Sequence, residues 1–489
     1  MIYNSVTDSS DVHFHNVKFR SVPIDSDVWF TESQFLIAVL KLENNKSSGR
    51  DVIFAEHIKY CSLSMLRVIC NLFNSFLLHG FLPEAFMTVL IKPVYKKSGS
   101  ICDMDSYRPI ALANCFSKLF EAILRDKLSV YLYTCLNQLG YKRKTGTDFC
   151  LYSFKEIIDS YNNANSNVYC CFLDASRAFD RVSHKTLFNM LVSRNVPRIF
   201  IRLLAYWYKN QTLAVRWGSC ISECFLVSNG VRQGSVLSPY LFCVYVDKIS
   251  KKLNAVGIGC KVRNLIINHL FYADDLVLFS PCSNGLQTLL HICNSCALEL
   301  DIEFNILKCK IMIFQCFVFR NCINPVFYLD QHALAECVSY KYLGHYICCN
   351  RNDDLDISRQ CRFIYAKGNS LIRKFYKCSD DVKVTLFQTH CSSMYSAYLW
   401  SRYNQSSLRK LTVAYHGVLK KFLNFPRSTS NSLLFVFYGV PTFQELIRKY
   451  IYSFRDRISN SDNALIVEIL NSSCAATSTL HRRWFSLLN

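Results

Sequence analysis

Two adjacent aspartates, Asp274 and Asp275, are set between apolar, β-prone runs in Asn268-His269-Leu270-Phe271-Tyr272-Ala273-Asp274-Asp275-Leu276-Val277-Leu278-Phe279. Runs of this length bounded by polar residues predict a strand–turn–strand hairpin with both carboxylates at its tip. Two negative charges fastened between buried strands repel each other unless a cation lies between them and a further ligand. Oxygen donors suit a hard divalent ion, Mg²⁺ first, which keeps coordination sites open for phosphate. A third protein oxygen is offered upstream at Asp174, where the continuous apolar run Val168-Tyr169-Cys170-Cys171-Phe172-Leu173 ends in a carboxylate. Two buried strands that deliver Asp174 and the Asp274-Asp275 pair to one edge of a sheet would make a two-metal phosphoryl-transfer site. In such a site the ions stabilise the attacking and leaving oxygens of an in-line displacement.

Holding three carboxylates on one sheet edge takes a sizeable core. A chain of 489 residues, 51% hydrophobic and 19% charged, supplies one and has room for two or three domains. This composition excludes a disordered tail. Lys and Arg total 56 against 36 Asp and Glu, a formal charge of +20 at pH 7, which points to a polyanionic partner and most economically to nucleic acid. No run of 18 or more apolar residues occurs, so no transmembrane helix is expected. Met1 to Phe19 contains no apolar signal core. The expectation is an intracellular protein, nuclear or cytoplasmic, with no membrane partner and with its 25 cysteines reduced and mostly buried. The pair Cys293 and Cys296 lies on an apolar helical stripe with Leu286, Leu289, Leu290 and Ala297, and no second pair follows at zinc-finger spacing. It therefore reads as core.

The remaining pattern supplies the positioning elements. Helices are predicted from Thr31 to Leu42, from Ala55 to His79, from Phe116 to Tyr131 and from Asp148 onward. Val89-Leu90-Ile91 and Val94-Tyr95 read as short strands. Ser183 caps a helix to about Arg194, which Pro197 terminates. Leu213–Trp217 and Cys224–Val227 read as a hairpin entering Asn229-Gly230-Val231-Arg232-Gln233-Gly234-Ser235-Val236-Leu237-Ser238-Pro239. Glycines at 230 and 234 permit close backbone approach to a base or sugar. Ser238 and Pro239 suit the first turn of a helix to about Leu253. Another helix runs from about Asn284 to Leu300, and the chain is helical from about Asn350.

Three long motifs, FYADDLVLFS, CFLDASRAFDRVSH and GVRQGSVLSPYLF, resemble the palm motifs of reverse transcriptases, and their order and separation resemble the non-LTR (LINE-type) retrotransposon branch. The resemblance spans roughly residues 40–455 and is tight over 90–345. It implies an α+β fold, a right-hand polymerase whose fingers and antiparallel-sheet palm are followed by an α-helical thumb. The expected division is an N-terminal extension over 1–40, fingers and palm over 41–347, thumb over 348–430 and a helical tail over 431–489.

On this resemblance Asp174, Asp274 and Asp275 hold two Mg²⁺ ions, with Mn²⁺ as an alternative, and Ala175 lends a backbone carbonyl to one of them. The segment Tyr107-Arg108-Pro109-Ile110-Ala111-Leu112 and the preceding strands look like fingers whose bases grip the incoming triphosphate. Arg108 is the first choice, since a guanidinium presents a planar fork, and Lys96 the second. The aromatic five positions after the metal aspartate, Phe179, is implied to pack under the sugar and exclude a 2′-hydroxyl. Asp180 reads as structural. Gln233 and Gly234 are implied to contact the nascent base pair. Glu303-Phe304-Asn305-Ile306-Leu307-Lys308 resembles a segment whose lysine, here Lys308, could protonate departing pyrophosphate. Ser339-Tyr340-Lys341-Tyr342-Leu343-Gly344 looks like a primer-grip hairpin. The implied partners are an RNA template, a DNA primer and dNTPs. Relatives of this kind usually carry an endonuclease domain or a Cys/His knuckle; neither is read here, so a reverse transcriptase domain without endonuclease is expected. The competing reading is a non-catalytic nucleic-acid-binding remnant of a retrotransposon. A group II intron maturase or retron-like enzyme keeps the chemistry and is disfavoured because no maturase-type or nuclease tail is recognised.

Overall fold

The computed structural model describes residues 28–96, 99–316, 324–472 and 478–488. The chain forms two compact units that interleave along the sequence. One takes the described residues up to Thr134 with Arg177–Asp247 and Leu300–Ile302; the other takes Cys135–Ser176, Lys248–Glu299 and the residues from Glu303 onward. Both mix sheet and helix, an α+β architecture as expected.

The first unit is built on a five-stranded sheet. Thr88–Tyr95 pairs antiparallel with Tyr107–Leu112 and parallel with Thr212–Trp217, which in turn pairs with Cys220–Ile221 and Phe225–Leu226. The two short strands expected around residue 90 are one strand of eight residues. Pro93 does not break it, because it faces Pro109 across the pair, beyond the part that binds Thr212–Val215. Val89, Ile91, Ala111, Ala113, Leu213 and Val227 close one face of this sheet as a small apolar cluster. The helix expected from Ala55 to His79 is two, Ala55–Lys59 and Leu63–His79. Ser62 separates them, its hydroxyl accepting from Met65 N–H as an N-cap. The helices Cys115–Leu128 and His184–Ser193 lie where predicted, the second capped by Ser183.

The second unit holds the other five-stranded sheet, in the order Ala335–Glu336, Lys310–Phe314, Val168–Leu173, Asp275–Ser280, His269–Tyr272. Val168–Leu173 is central, antiparallel to both neighbours, and buried along nearly its whole length, as an uninterrupted apolar run requires. Phe154 on the helix Thr147–Asn163 packs against Phe172, Phe279 and Phe314. That core does not stop at the sheet. It continues through the helices Asp354–Phe375, Gln405–Phe422 and Phe443–Ser459 to Trp484 on the last helix, Thr479–Leu488. Trp484 stacks on Tyr152 at 6.1 Å and 17°. Cys293 and Cys296 are both fully buried on the helix Ser283–Glu299, consistent with core packing. Among the described residues every cysteine is a free thiol, and no helix is long and apolar enough to cross a membrane.

A buried charge network ties the strand His345–Cys348 to the following helix. Lys155 Nζ lies 2.6 Å from Asp353 Oδ1, and Arg359 Nε lies 2.7 Å from Asp356 Oδ1. Trp400 Nε1 donates to Asp356 Oδ2 at 2.8 Å. His345 sits between the two carboxylates, 3.5 Å from Asp353 and 3.1 Å from Asp356. Burial alone would raise Asp353, but the charges of Lys155 and His345 outweigh it and hold the carboxyl down to about 2. Burial would lower His345, and Asp356 and Asp353 outweigh that too, raising the imidazole. The sign of the linkage follows. His345 contributes stability that is whole below its ordinary value and is lost as pH rises through the raised one. Asp353 contributes stability that is whole above its ordinary value and is lost as pH falls toward about 2. The melting temperature is therefore expected to fall as pH rises above about 6.5. The variant His345→Gln should flatten that limb in thermal melts across pH, and a limb of unchanged slope would contradict the assignment.

Candidate active site

The hairpin around the aspartate pair forms from His269–Tyr272 and Asp275–Ser280, with Tyr272 and Asp275 as the closing pair. The turn is thus two residues long, Ala273 and Asp274. Asp275 is the first residue of its strand and not a second tip residue, a refinement of the expected hairpin. Ala273 adopts φ 60°, the left-handed region that a Cβ disfavours. The strand pairing runs Leu173↔Leu276 and Phe172↔Val277, so Asp174 and Asp275 follow one step beyond the last pair. Register alone carries both to the same sheet edge. The backbone after Asp174 is held by Asn305 N–H donating to Asp174 C=O and Ser176 N–H donating to Glu303 C=O, both at 2.8 Å. These two rungs flank the Ala175↔Phe304 bridge and do not use the carbonyl of Ala175. Lys308 Nζ lies 3.2 Å from Asp174 Oδ2. The lysine is 64% exposed, so this ion pair contributes little to stability.

The Asp275 carboxyl is pushed up to about 7, first by burial and then by the charges of Asp274 and Asp174. Solvent reaches Asp275, so part of the repulsion is screened. The direction is that of a carboxylate set among like charges. Among the described residues no three His, Cys, Asp or Glu side chains are grouped as a ready-made metal site. The donors are hard oxygens of the type Mg²⁺ prefers, and their mutual repulsion is what a bound cation would relieve. Tyr340 of the strand Ser339–Tyr342 stacks on Phe172 at 4.4 Å and 14°. Its hydroxyl is raised by burial and then by Asp174 and Asp275.

The residues expected to meet the nucleotide lie in the first unit. Lys96 Nζ donates to the Asp105 carbonyl at 2.7 Å, on its own hairpin, while Asp105 also takes Arg177. Arg108 is exposed, opposite Val94 in the strand pair. Phe179 is half-buried and stacks on Phe242 with ring centroids 4.3 Å apart at 13°. Its carbonyl accepts from Val231 N–H at 2.8 Å, tying its turn to the glycine-bounded loop. Gln233 C=O accepts from Ala111 N–H at 2.8 Å along the edge of the sheet. The Gln233 side chain bonds to Asp180, whose carboxyl burial raises against the opposing pull of Arg177 and Gln233. Gly234 has φ 108°, and a Cβ there would lie 2.9 Å from the Ala111 carbonyl oxygen, so only glycine fits.

Two positioning residues escape the sequence reading. Glu121, buried on Cys115–Leu128, accepts from Arg232 Nη2 at 2.8 Å, from Val236 N–H at 2.6 Å, from Leu237 N–H at 3.2 Å and from Ser235 Oγ. This one carboxylate gathers the loop that carries Gln233 and Gly234. Its signal was a lone acid on the apolar face shared by Leu124 and Leu128. The other, Gln138, braces the aspartate turn; its signal was a polar residue two before a glycine in an otherwise buried stretch.

Residues 94–347, just over half of the chain, match the family described as reverse transcriptase (RNA-dependent DNA polymerase). The chain is 25% identical over 442 residues to the RNA-directed DNA polymerase from mobile element jockey of Drosophila funebris, covering 87% of this chain and 47% of that one. It is 25% identical over 447 residues to the probable RNA-directed DNA polymerase from transposon X-element of Drosophila melanogaster, covering 87% and 48%. The chain thus spans about half the length of these relatives. Apo telomerase from Candida tropicalis aligns over 92% of this chain and 74% of its own, at 14% identity and a TM-score of 0.42, a likeness too loose to argue from.

Proposed function

Because the chain belongs to the reverse transcriptase (RNA-dependent DNA polymerase) family, we propose that it is the polymerase part of a LINE-type retroelement. It adds dNTPs to the 3′-hydroxyl of a DNA primer on an RNA template and releases pyrophosphate. The observation that carries this reading is the strand register that brings Asp174 level with Asp275, with Asp274 in the adjoining two-residue turn.

Asp174, Asp274 and Asp275, with the carbonyl of Ala175, would hold two Mg²⁺ or Mn²⁺ ions, which when bound supply charge neutralisation at the attacking and leaving oxygens. The protein's own part is positioning, which phosphoryl transfer needs most. Arg108 offers its exposed guanidinium to the triphosphate. Lys96 is its second, drawn at present to a carbonyl of its own hairpin. Phe179, braced face to face by Phe242, is a rigid wall where a 2′-hydroxyl would otherwise fit. Gln233 and Gly234 present side chain and bare backbone to the nascent pair. Lys308, within reach of Asp174, is the proton donor to departing pyrophosphate. In this reading residues 41–347 are fingers and palm, 348–430 the thumb, and 431–489 a tail.

Primer extension on an RNA template with Mg²⁺ tests the reading. Wild type is expected to extend, and Asp274→Asn to lose on the order of a hundredfold or more. A wild type that binds primer–template with steep salt dependence but never extends would make it a nucleic-acid-binding remnant. Phe179→Val is expected to raise incorporation of ribonucleotides relative to deoxyribonucleotides by at least about tenfold, since even one methylene in a pocket changes discrimination by that order and this change removes most of a ring. An unchanged ratio in competitive single-nucleotide incorporation would remove Phe179 from the sugar site.

A further inference from the structure

We propose that Gln138 is a positioning residue that sets the direction of the catalytic aspartates by clamping Ala273. The proposal rests on the reading of the carboxylate turn given above. Gln138 is 1% exposed, and its side-chain amide meets both polar groups of a single turn residue. Its Oε1 accepts from Ala273 N–H at 3.1 Å, and its Nε2 faces Ala273 C=O at 3.5 Å. The same Oε1 accepts from Gly140 N–H at 2.9 Å, which holds the side chain in place.

The backbone around Gln138 is itself docked on the hairpin. Phe271 N–H donates to Asn137 C=O and Leu139 N–H donates to Phe271 C=O, each at 2.9 Å, so residues 137–139 run as a short parallel partner of His269–Tyr272. Gly140 completes the seat. A Cβ at that position would lie 2.6 Å from Ala273 N.

The clamp has a reason in the turn. Ala273 is held at φ 60°, where an L-residue with a Cβ is strained. Such a conformation persists only where the surroundings over-determine it. Asp274 follows Ala273 directly, and the peptide between them swings with the φ and ψ of Ala273. Ligands of a phosphoryl-transfer site tolerate displacements of only about 0.5 Å, and a shift of about 1 Å can cost a hundredfold in rate. The Gln138 amide thus joins the strained residue before Asp274 to the backbone of its own segment at Gly140.

The test is a double-mutant cycle on the full chain, with Gln138→Leu, Ala273→Gly and both together. Primer extension on an RNA template is followed as a function of Mg²⁺, with primer–template affinity measured alongside. Gln138→Leu is expected to lower kcat by about 10- to 100-fold and to raise the Mg²⁺ needed for half-maximal rate, with primer–template affinity unchanged. Glycine adopts the left-handed turn without strain, so in the Ala273→Gly background the further loss from Gln138→Leu should shrink at least several-fold. An equal loss in both backgrounds would overturn the proposal, since Gln138 would then act without reference to Ala273. A loss that appears only in primer–template affinity would also overturn it. If wild type extends and Gln138→Leu matches it, only the role of Gln138 falls. If wild type itself does not extend, the reading of the carboxylate turn has failed and the positioning role fails with it.

Discussion

Three carboxylates that repel one another are brought to one sheet edge by strands that cannot go anywhere else. Val168–Leu173 and Asp275–Ser280 are apolar runs buried on both faces, so their register is set by packing against particular neighbours, such as Phe154 on Phe172 and Phe279. The register that satisfies the core is the register that sets Asp174 level with Asp275. Hydrophobic burial thus supplies the free energy that holds like charges together. Burial first, and then the charges of Asp274 and Asp174, raise the Asp275 carboxyl.

The rest of the second unit follows from that constraint. Phe154, Phe172, Phe279 and Phe314 make the packing that fixes the sheet, and the helices after residue 353 extend the same apolar cluster to Trp484. Those helices are therefore part of what keeps the central strands in place. In the first unit a different device is used. Glu121, a single buried carboxylate, gathers Arg232 and three further donors from the loop bearing Gln233 and Gly234. Removing this buried acid would leave the Arg232 guanidinium without its carboxylate partner in the core.

Much of this was legible in the residues. The hairpin at 269–280 and the strand ending at Asp174 declared themselves because runs of apolar, β-prone residues end in acids. Gly234 reads as a site of close approach to a base or sugar; the close approach the structure shows is to the Ala111 carbonyl of its own sheet, at φ 108°. Ser183 was legible as a cap. Gln138 and Glu121 were not, because each acts on residues more than a hundred positions away and neither breaks a local pattern enough to reveal its partner. The single strand through Pro93 was missed because proline normally argues against a strand interior, and only its partner Pro109 shows why it is tolerated here. The interleaving of the two units was also hidden, since local periodicity carries no information about which segments share a core.

We propose that Asp174, Asp274 and Asp275 form a divalent-cation site. Electron paramagnetic resonance titration with Mn²⁺ tests it most directly, with the full chain, a primer–template blocked at its 3′ end and the matching dNTP. Two Mn²⁺ are expected to bind to wild type, and Asp174→Asn or Asp275→Asn should abolish at least one of them. A wild type that binds no Mn²⁺ under these conditions, or variants that bind as wild type does, would contradict the account.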